Sequence, residues 1–79
     1  MNFTFEIDFD SEEVAIYMDD EFIGIVYRME GKFYSDQFNP SFEEHRNELF
    51  SIGKALFLVA ENVWTNWPTI DLILYARFI

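Results

Sequence analysis

The sequence predicts an α+β fold in which an antiparallel β-meander of four strands is followed by one long amphipathic helix and a final C-terminal strand. Three observations support this prediction. The first half of the chain alternates apolar and polar residues in short runs separated by turn residues, which is typical of half-buried strands. The second half repeats apolar residues at three- and four-residue steps. A last apolar run follows a proline that ends the helical pattern.

The first two strands are predicted from strict alternation. In residues 3–9 the apolar side chains point one way and the polar side chains the other, as in a strand with one buried face. A turn at 10–12 follows, and residues 14–18 alternate again before an acidic turn at 19–21. Turns this short join strands that are neighbours in space, so the strands should form an antiparallel meander.

The third predicted strand, residues 22–29, is apolar on both faces, which indicates an interior position in the sheet. Gly24 within this strand indicates a bulge or a close approach to the backbone. The dipeptide Glu30-Gly31 predicts a tight hairpin, because glycine readily adopts the positive φ that such turns require. The hairpin leads into a fourth strand over residues 32–38.

A long amphipathic helix is predicted after the fourth strand. In one interpretation, Asn39 caps the helix and Pro40 occupies its first position. In the other, Ser41 is the cap and Glu44 completes a capping box. The helix should end before Pro68, because the residue before a proline avoids the α region. The apolar stripe expected to face the sheet comprises Phe42, Leu49, Ile52, Leu56, Ala60, Val63 and Trp67.

The last predicted strand covers residues 69–79, with apolar side chains on one face. The helix would deliver this strand to the sheet, and a position parallel to the fourth strand would require a right-handed crossover. One helix covers only one face of a five-stranded sheet, so the other face must be polar or be covered by another chain. The length of the chain predicts a single compact domain, residues 1–79.

Negative charge is concentrated in the first half of the chain. Through residue 48 the sequence has 13 acidic residues against three basic ones, whereas residues 49–79 carry no net charge. No basic residue precedes Arg28. A one-sided negative field repels phosphate and attracts basic surfaces. The expected partner is therefore a protein with a basic nucleic-acid-binding surface, and direct binding to nucleic acid is not expected.

Several other classes of function are not expected. The chain has no cysteine, one histidine and no glycine-rich phosphate loop, so neither enzyme activity nor a cofactor is predicted. A partial calcium-loop pattern begins at Asp8 but lacks the required glycine, and Glu44, His45 and Glu48 make a poor zinc site, so no metal is expected. No signal peptide or membrane span is recognisable, and the expected location is the cytoplasm, or the host cytoplasm for a phage-encoded protein.

The leading candidate for a partner-binding site is the acidic surface of the first half. Alternate residues on one side of a strand lie roughly 7 Å apart, a spacing comparable to that of neighbouring phosphates on one nucleic-acid strand. Such a surface would occupy a phosphate-binding groove, and its binding would be sensitive to salt. The alternative is a solvated face that provides solubility. The predicted partner-binding residues are Glu6, Asp8, Asp10, Glu12, Glu13, Tyr17, Asp19, Asp20 and Glu21.

A second candidate is an aromatic stripe on the other side of the helix. Phe50, Phe57 and Trp64 recur at seven-residue steps, which suits a helix–helix contact and therefore self-association. The chain also contains ten phenylalanines, and a surplus of aromatic side chains would serve a dimer interface or a partner site. The alternatives are a helix that is buried on more than one side and aromatic residues that simply fill the core.

In size, charge and compact α+β organisation, the chain resembles small acidic phage or mobile-element proteins that block host defences, including anti-restriction and anti-CRISPR proteins. The resemblance covers no motif, so it assigns no role to any residue. It implies an inhibitor that acts as a DNA mimic on a host defence complex. Two other functions fit the sequence: an antitoxin or immunity-type protein that masks one cognate partner, and a homodimeric structural module.

Overall fold

A four-stranded antiparallel sheet and one long helix form an α+β fold, as the sequence predicts. The structure, a computed structural model, describes residues 2–64 and 73–78. Each of the four strands pairs antiparallel with the next along the chain, so their spatial order is β4-β3-β2-β1. The strands are β1 (Phe3–Asp8), β2 (Glu13–Met18), β3 (Glu21–Met29) and β4 (Lys32–Asp36).

After the helix, the segment Ile73–Phe78, labelled β5, has an extended backbone. Residues 69–72 and 79 of the predicted final strand lie outside the described residues, as does the helix end predicted before Pro68.

The core lies between the helix and one face of the sheet. Strand alternation turns the same side of β1 and β2 inward, and the ladder sets Phe5 opposite Ile16 and Ile7 opposite Val14. All four of these side chains are buried, and so is Val26 on β3. Burying branched and aromatic side chains of this size stabilises the fold by about 2 kcal/mol each. The buried hydrophobic residues are Phe5, Ile7, Val14, Ile16, Ile23, Val26, Leu49, Phe57 and Ala60.

A 3₁₀ segment, Pro40–His45, precedes helix α1 (Arg46–Trp64). The side chain of Asn39 accepts a hydrogen bond from the backbone N–H of Ser41 at 2.9 Å, and a proline follows directly. The first of the two predicted caps is therefore confirmed. The predicted α-helix does not begin there, however, because Phe42 has non-helical backbone angles and the first turns are 3₁₀.

The buried face of α1 is rotated relative to the predicted stripe. Val63, predicted to face the sheet, is 50% exposed, and Phe57, predicted to lie on the other side, is 1% exposed. The reason is Gly53, which is buried and lacks a side chain, so that the helix approaches Val26 closely at this point. The large ring of Phe57, one turn further on, then fills the space beside this contact. Trp67 lies outside the described residues.

Gly24 marks both features predicted from its position. The pairing register of β2 and β3 shifts between Ile16 and Tyr17, next to the partner position of Gly24, which is a bulge. A Cβ atom on Gly24 would lie 2.5 Å from Cδ2 of Phe38. The chain leaves β4 after Asp36, earlier than predicted, and lays the Phe38 ring against the Gly24 backbone. Only glycine provides room for this contact.

Candidate functional site

No other element in the described part of the chain packs on the face of the sheet that points away from α1. We call it the open face. Its side chains alternate along each strand with the buried ones. Its described side chains are mostly acidic, aromatic or apolar, and the one cation among them is Lys32, at one corner. The open face comprises Thr4, Glu6, Asp8, Glu13, Ala15, Tyr17, Phe22, Ile25, Tyr27, Met29, Lys32, Tyr34 and Asp36.

One row of paired residues crosses all four strands of the open face. Asp8 pairs with Glu13, Glu13 with Tyr27, and Tyr27 in turn with Tyr34. The row is acidic over β1 and β2 and aromatic over β3 and β4. Adjacent strands lie about 4.8 Å apart, so the row spans roughly 14 Å. A row of this length can contact another protein. The partner would bury the aromatic part of the row and supply cations to its acidic part.

Two aromatic pairs lie on the open face. The rings of Tyr27 and Tyr34 are stacked with centroids 5.5 Å apart, and Tyr17 and Phe22 meet edge to face at 5.7 Å. Phe22 and Tyr34 remain 38% and 39% exposed although each has an aromatic partner. Large aromatic side chains that are preordered in this way lose little conformational entropy on binding, which is why they often anchor interfaces.

The acidic residues on β1 and β2 form a compact group on the open face. Asp8 and Glu13 are directly opposite each other in the ladder, and Glu6 lies two residues along the strand from Asp8. Like charges at directly opposite positions destabilise a sheet. No described cation pairs with these three carboxylates. The group is therefore a site that a cation from another molecule would stabilise.

The predicted acidic row does not continue into the turn. β1 ends at Asp8, so Asp10 lies in the turn and not two residues further along one strand side. One carboxylate oxygen of Asp8 accepts hydrogen bonds from the backbone N–H groups of Asp10 at 3.0 Å and Ser11 at 3.4 Å. Asp8 thus holds the turn in place while its second oxygen remains available.

Three of the predicted residues lie at the opposite end of the sheet. Asp19 and Asp20 form the β2–β3 turn and Glu21 begins β3, whereas Asp8 and Glu13 lie at the far end of the β1–β2 ladder. Five strand residues separate the two ends, which is roughly 17 Å. Tyr17 lies near the Asp19 end, on the open face. The predicted acids thus form two groups and not one continuous row.

Glu12 is not part of the open face, because it belongs to an ion-pair cluster with Arg28. The Arg28 guanidinium donates to Glu12 Oε1 at 3.0 Å and to Glu61 Oε1 at 2.9 Å, and its Nη2 also donates to Glu61 Oε2. It lies 4.8 Å from the ring centroid of Phe57, a cation–π distance. The cluster ties the β1–β2 turn, strand β3 and helix α1 together.

The electrostatics of this cluster are those of a stable ion pair. The hydrogen bond from Arg28 holds the pKa of the Glu61 carboxyl below its usual value, against the opposing effect of partial burial. The hydrogen bonds to Glu61 and then to Glu12 raise the pKa of Arg28 above its usual value. Both groups therefore stay charged near neutral pH, and Arg28 is not available to a partner on the open face.

Sequence reasoning missed the Arg28 cluster and the stacked tyrosines. A signal for each was present. Alternation from the apolar Val26 places Arg28 on the covered face, where a cation requires a partner. The two-residue turn at Glu30-Gly31 fixes the β3–β4 register, and counting back from it pairs Tyr27 with Tyr34.

The predicted self-association stripe is also divided by the structure. Phe57 belongs to the core, with its ring 5.5 Å from Phe9 and 5.8 Å from Phe33. Phe50 is half-buried and lines an open cleft of about 410 Å³ between β4 and the start of α1. Arg46 crosses this cleft and donates to the Ser35 hydroxyl from Nε at 3.2 Å and Nη2 at 3.0 Å.

The described part of the chain shows neither a metal-binding cluster nor a membrane-spanning helix. No group of three or more histidine or acidic side chains there has the geometry to hold a metal ion. No helix among residues 2–64 has the length and apolar character needed to cross a membrane.

The described residues form a small acidic α+β domain whose open face is acidic and aromatic. No known protein family matches the chain, and no significant similarity to a curated protein or to a solved structure was found. Function therefore has to be inferred from the geometry of the open face.

Proposed function

We propose that this protein is a small acidic inhibitor that binds the basic, nucleic-acid-binding surface of another protein through its open face. The observation that carries the proposal is the row Asp8–Glu13–Tyr27–Tyr34, which sets carboxylates with no cationic partner among the described residues beside two stacked tyrosine rings. The carboxylates would take the place of phosphates, and the rings would be buried as anchors. Bound in this way, the protein would block access of nucleic acid to the partner.

The charge of the whole chain supports this choice of partner. A formal charge of −10 on 79 residues steers the molecule towards cationic surfaces and away from nucleic acid. Of the cations whose side chains the structure describes, only Lys32 lies on the open face and would oppose such an approach, because Arg28 is held on the covered face by Glu12 and Glu61. A phage or mobile-element inhibitor of a host defence complex, of the anti-restriction or anti-CRISPR kind, is the specific role we propose.

The C-terminal strand is part of this proposal. With Ile73–Phe78 beside β1, the domain is a five-stranded sheet in the order β4-β3-β2-β1-β5. The β1 edge would then be protected by pairing, so that Glu6 and Asp8 lie in the interior of the sheet on a flat, ordered surface. A solvent-exposed β1 edge would instead leave these carboxylates on a fraying strand.

The test uses two variants that remove the same charge from different surfaces. Glu6→Gln with Glu13→Gln removes two carboxylates from the open face and leaves Asp8, which holds the turn, in place. Glu44→Gln with Glu48→Gln removes two carboxylates from exposed positions on the other side of the molecule. Each tagged protein is used to capture partners from nuclease-treated host lysate, which are eluted by a salt gradient and identified by mass spectrometry.

The proposal predicts that the captured partner is a nucleic-acid-binding protein. The wild type and the Glu44/Glu48 variant should capture it, and the Glu6/Glu13 variant should not. Moderate salt should release it, because the Debye length is already about 8 Å at 0.15 M ionic strength and shortens as salt is added. Duplex DNA should compete with the wild type for the purified partner. If both variants bind the partner equally well, or if DNA binds together with the inhibitor, the proposal is wrong.

A second function, an antitoxin or immunity-type protein that masks one cognate partner, is favoured by the two aromatic pairs. That function relies on apolar burial and shape, so binding would survive high salt. Tyr27→Ser with Tyr34→Ser would then abolish binding, whereas Glu6→Gln with Glu13→Gln would weaken it little. The same capture experiment, run with this third variant, separates the two functions.

A further inference from the structure

Strand β4 is the edge of the sheet, and half of its backbone is unpaired. It pairs with β3 on one side, and among residues 2–64 and 73–78 no strand pairs with its other side. An exposed strand edge offers backbone donors and acceptors to another strand. Which residues of β4 point outward can be deduced from the hairpin that begins it.

The β3–β4 hairpin fixes this direction. Its two turn residues, Glu30 and Gly31, have φ of 53° and 79°, the signature of a type I′ turn. In such a turn the N–H of Lys32 bonds back to the carbonyl of Met29, so Lys32 is hydrogen-bonded to β3. Because hydrogen-bonded and non-hydrogen-bonded positions alternate, Tyr34 and Asp36 also bond inward. The backbone groups of the other two residues, Phe33 and Ser35, therefore point outward.

The side chains at the two ends of β4 carry opposite charges without an ion-pair partner in the described part of the chain. Lys32 is paired in the ladder with Met29, and Asp36 with Ile25, so each charge has an apolar neighbour. Asp36 accepts only a local bond from the backbone N–H of Gln37. Four residues separate the two charges, roughly 13 Å along the strand, which is too far for them to pair with each other.

We propose that β4 pairs with β4 of a second copy of this chain, antiparallel and centred on Tyr34. In this register Lys32 of one copy faces Asp36 of the other, and the reverse pair forms across the two-fold axis. Phe33 of each copy exchanges two backbone hydrogen bonds with Ser35 of the other, so that all of the outward groups identified above are used. The two sheets become one continuous sheet, with the two Tyr34 side chains adjacent on the open face.

This register is favoured over its neighbours by charge and by hydrogen bonding. A shift of two residues in one direction places Asp36 opposite Glu30 of the other copy, which is a like-charge pair. A shift of two residues in the other direction moves Lys32 beyond the end of the partner strand, opposite residue 38. Only the register centred on Tyr34 pairs both charges and occupies the Phe33 and Ser35 backbone groups on both chains.

The surroundings of β4 leave space for a second strand. The open cleft of about 410 Å³ beside the strand is lined by Phe33, Tyr34, Ser35 and, on the helical side, by Arg46 and Phe50. Arg46 already satisfies the Ser35 hydroxyl, so pairing along the backbone does not compete with a side-chain bond. Phe50, which the sequence suggested for self-association, would then lie near the new interface.

Sedimentation equilibrium of the wild type and charge variants tests the proposal. We expect a dimer to form by about 100 µM at near-physiological salt, where charge repulsion between copies is largely screened. Lys32→Glu and Asp36→Lys should each weaken the dimer roughly tenfold or more, since each change affects two cross-strand pairs. The double variant Lys32→Glu with Asp36→Lys should restore the wild-type dissociation constant, because it swaps the charges within each pair.

Asp10→Lys is the control for Asp36→Lys, because it changes the net charge equally but lies in the β1–β2 turn. Lower net charge alone favours association, so this control should not weaken the dimer. Circular dichroism checks that each variant is folded. Hydrogen exchange provides a second readout: the Phe33 and Ser35 amides should gain protection as concentration rises, whereas the Lys32 and Tyr34 amides are protected throughout.

Two outcomes would overturn the proposal. A wild type that remains monomeric over the whole concentration range would leave the β4 edge unpaired or available only to an extended segment of a different protein. A dimer whose dissociation constant is the same in the wild type, both single variants and the double variant would be formed by another surface.

Discussion

The covered and open faces of the sheet are built from the same strands but differ in the burial and the ion pairing of their side chains. On the covered face, Phe5, Ile7 and Ile16 are fully or almost fully buried against α1. On the other side of the same strands, Glu6 and Glu13 are only half-buried and have no cationic partner among the described residues. Packing explains the first set of side chains. It does not explain the second, which under the proposed function binds another protein.

The same contrast applies to the charged residues. On the covered face, a single cation, Arg28, is surrounded by Glu12, Glu61 and the ring of Phe57. On the open face, Asp8 and Glu13 are opposed with no cation between them. Among the described side chains, the charge of Arg28 on the covered face is paired within the chain, whereas Asp8 and Glu13 on the open face have no cationic partner.

The largest expected effect is that of Phe57→Ala compared with Tyr34→Ala. Phe57 is fully buried between Phe9 and Phe33, so its truncation should reduce the free energy of unfolding by about 3–5 kcal/mol. Tyr34 is exposed and loses mainly its stacking on Tyr27, about 1 kcal/mol. Urea unfolding measures both. Phe57→Leu provides a milder variant where Phe57→Ala does not fold, and an equal loss at both positions would refute the distinction between the faces.

Gly24→Ala should reduce the free energy of unfolding by about 1–3 kcal/mol, because the new methyl group would overlap the Phe38 ring. The loss should be specific to that ring. In a Phe38→Ala background, the same change should cost little, and a double-mutant cycle from urea unfolding measures the coupling. If the two changes are simply additive, the close approach of Phe38 to Gly24 does not limit this position.

Glu61→Gln should reduce the free energy of unfolding at pH 7 by about 1–2 kcal/mol, because it removes the charge that Arg28 binds. The pKa of Glu61 is lower in the folded than in the unfolded chain, so the unfolded state binds more protons as pH falls. The stabilisation is complete above the unfolded value of about 4.3 and is lost as pH falls through the lower folded value. The difference between wild type and variant should therefore shrink below about pH 4.

Urea unfolding over a series of pH values measures this difference, with Glu48→Gln as a control at an exposed position on α1. The control should show no comparable narrowing. A wild-type-to-variant difference for Glu61→Gln that is constant with pH would contradict the ion pair as the source of the stabilisation.

The smallest expected effect is on the open face itself. Glu6→Gln with Glu13→Gln should increase the free energy of unfolding at low salt by a few tenths of a kcal/mol, because it relieves repulsion around Asp8. The melting temperature should therefore rise slightly. The gain should disappear as salt screens the charges in the wild type. A marked loss of stability would mean that these carboxylates serve the fold and not a partner.

Local patterns in the sequence were enough to predict the four strands of the meander and the long helix. Alternation located the strands, Glu30-Gly31 located the hairpin, and Asn39 was one of the two caps that the sequence offered. Each depends on residues close together in the chain. Gly24 could be singled out for the same reason, although the identity of the ring against it could not.

Features that depend on distant residues were not predicted correctly. Phe57 was assigned to the wrong side of the helix because the heptad spacing does not reveal the close approach of Gly53 to the sheet. The acidic residues could be counted but not placed, because the turn after Asp8 redirects Asp10 and because Glu12 is bound by Arg28, sixteen residues away. Which acids lie together is a property of the strand pairing.

The turns of this protein contain a reserve of stability that an engineer could use. Within residues 2–64 and 73–78, four residues other than glycine adopt left-handed backbone angles, with φ between 53° and 55°: Glu12, Asp19, Glu30 and Gln37. Each costs about 1 kcal/mol relative to a residue suited to that conformation. Replacing Glu30 by Asn, for example, would create the Asn-Gly pair that type I′ hairpins prefer. A variant stabilised at its turns would tolerate extensive redesign of the open face, including a change in the sign of its charge.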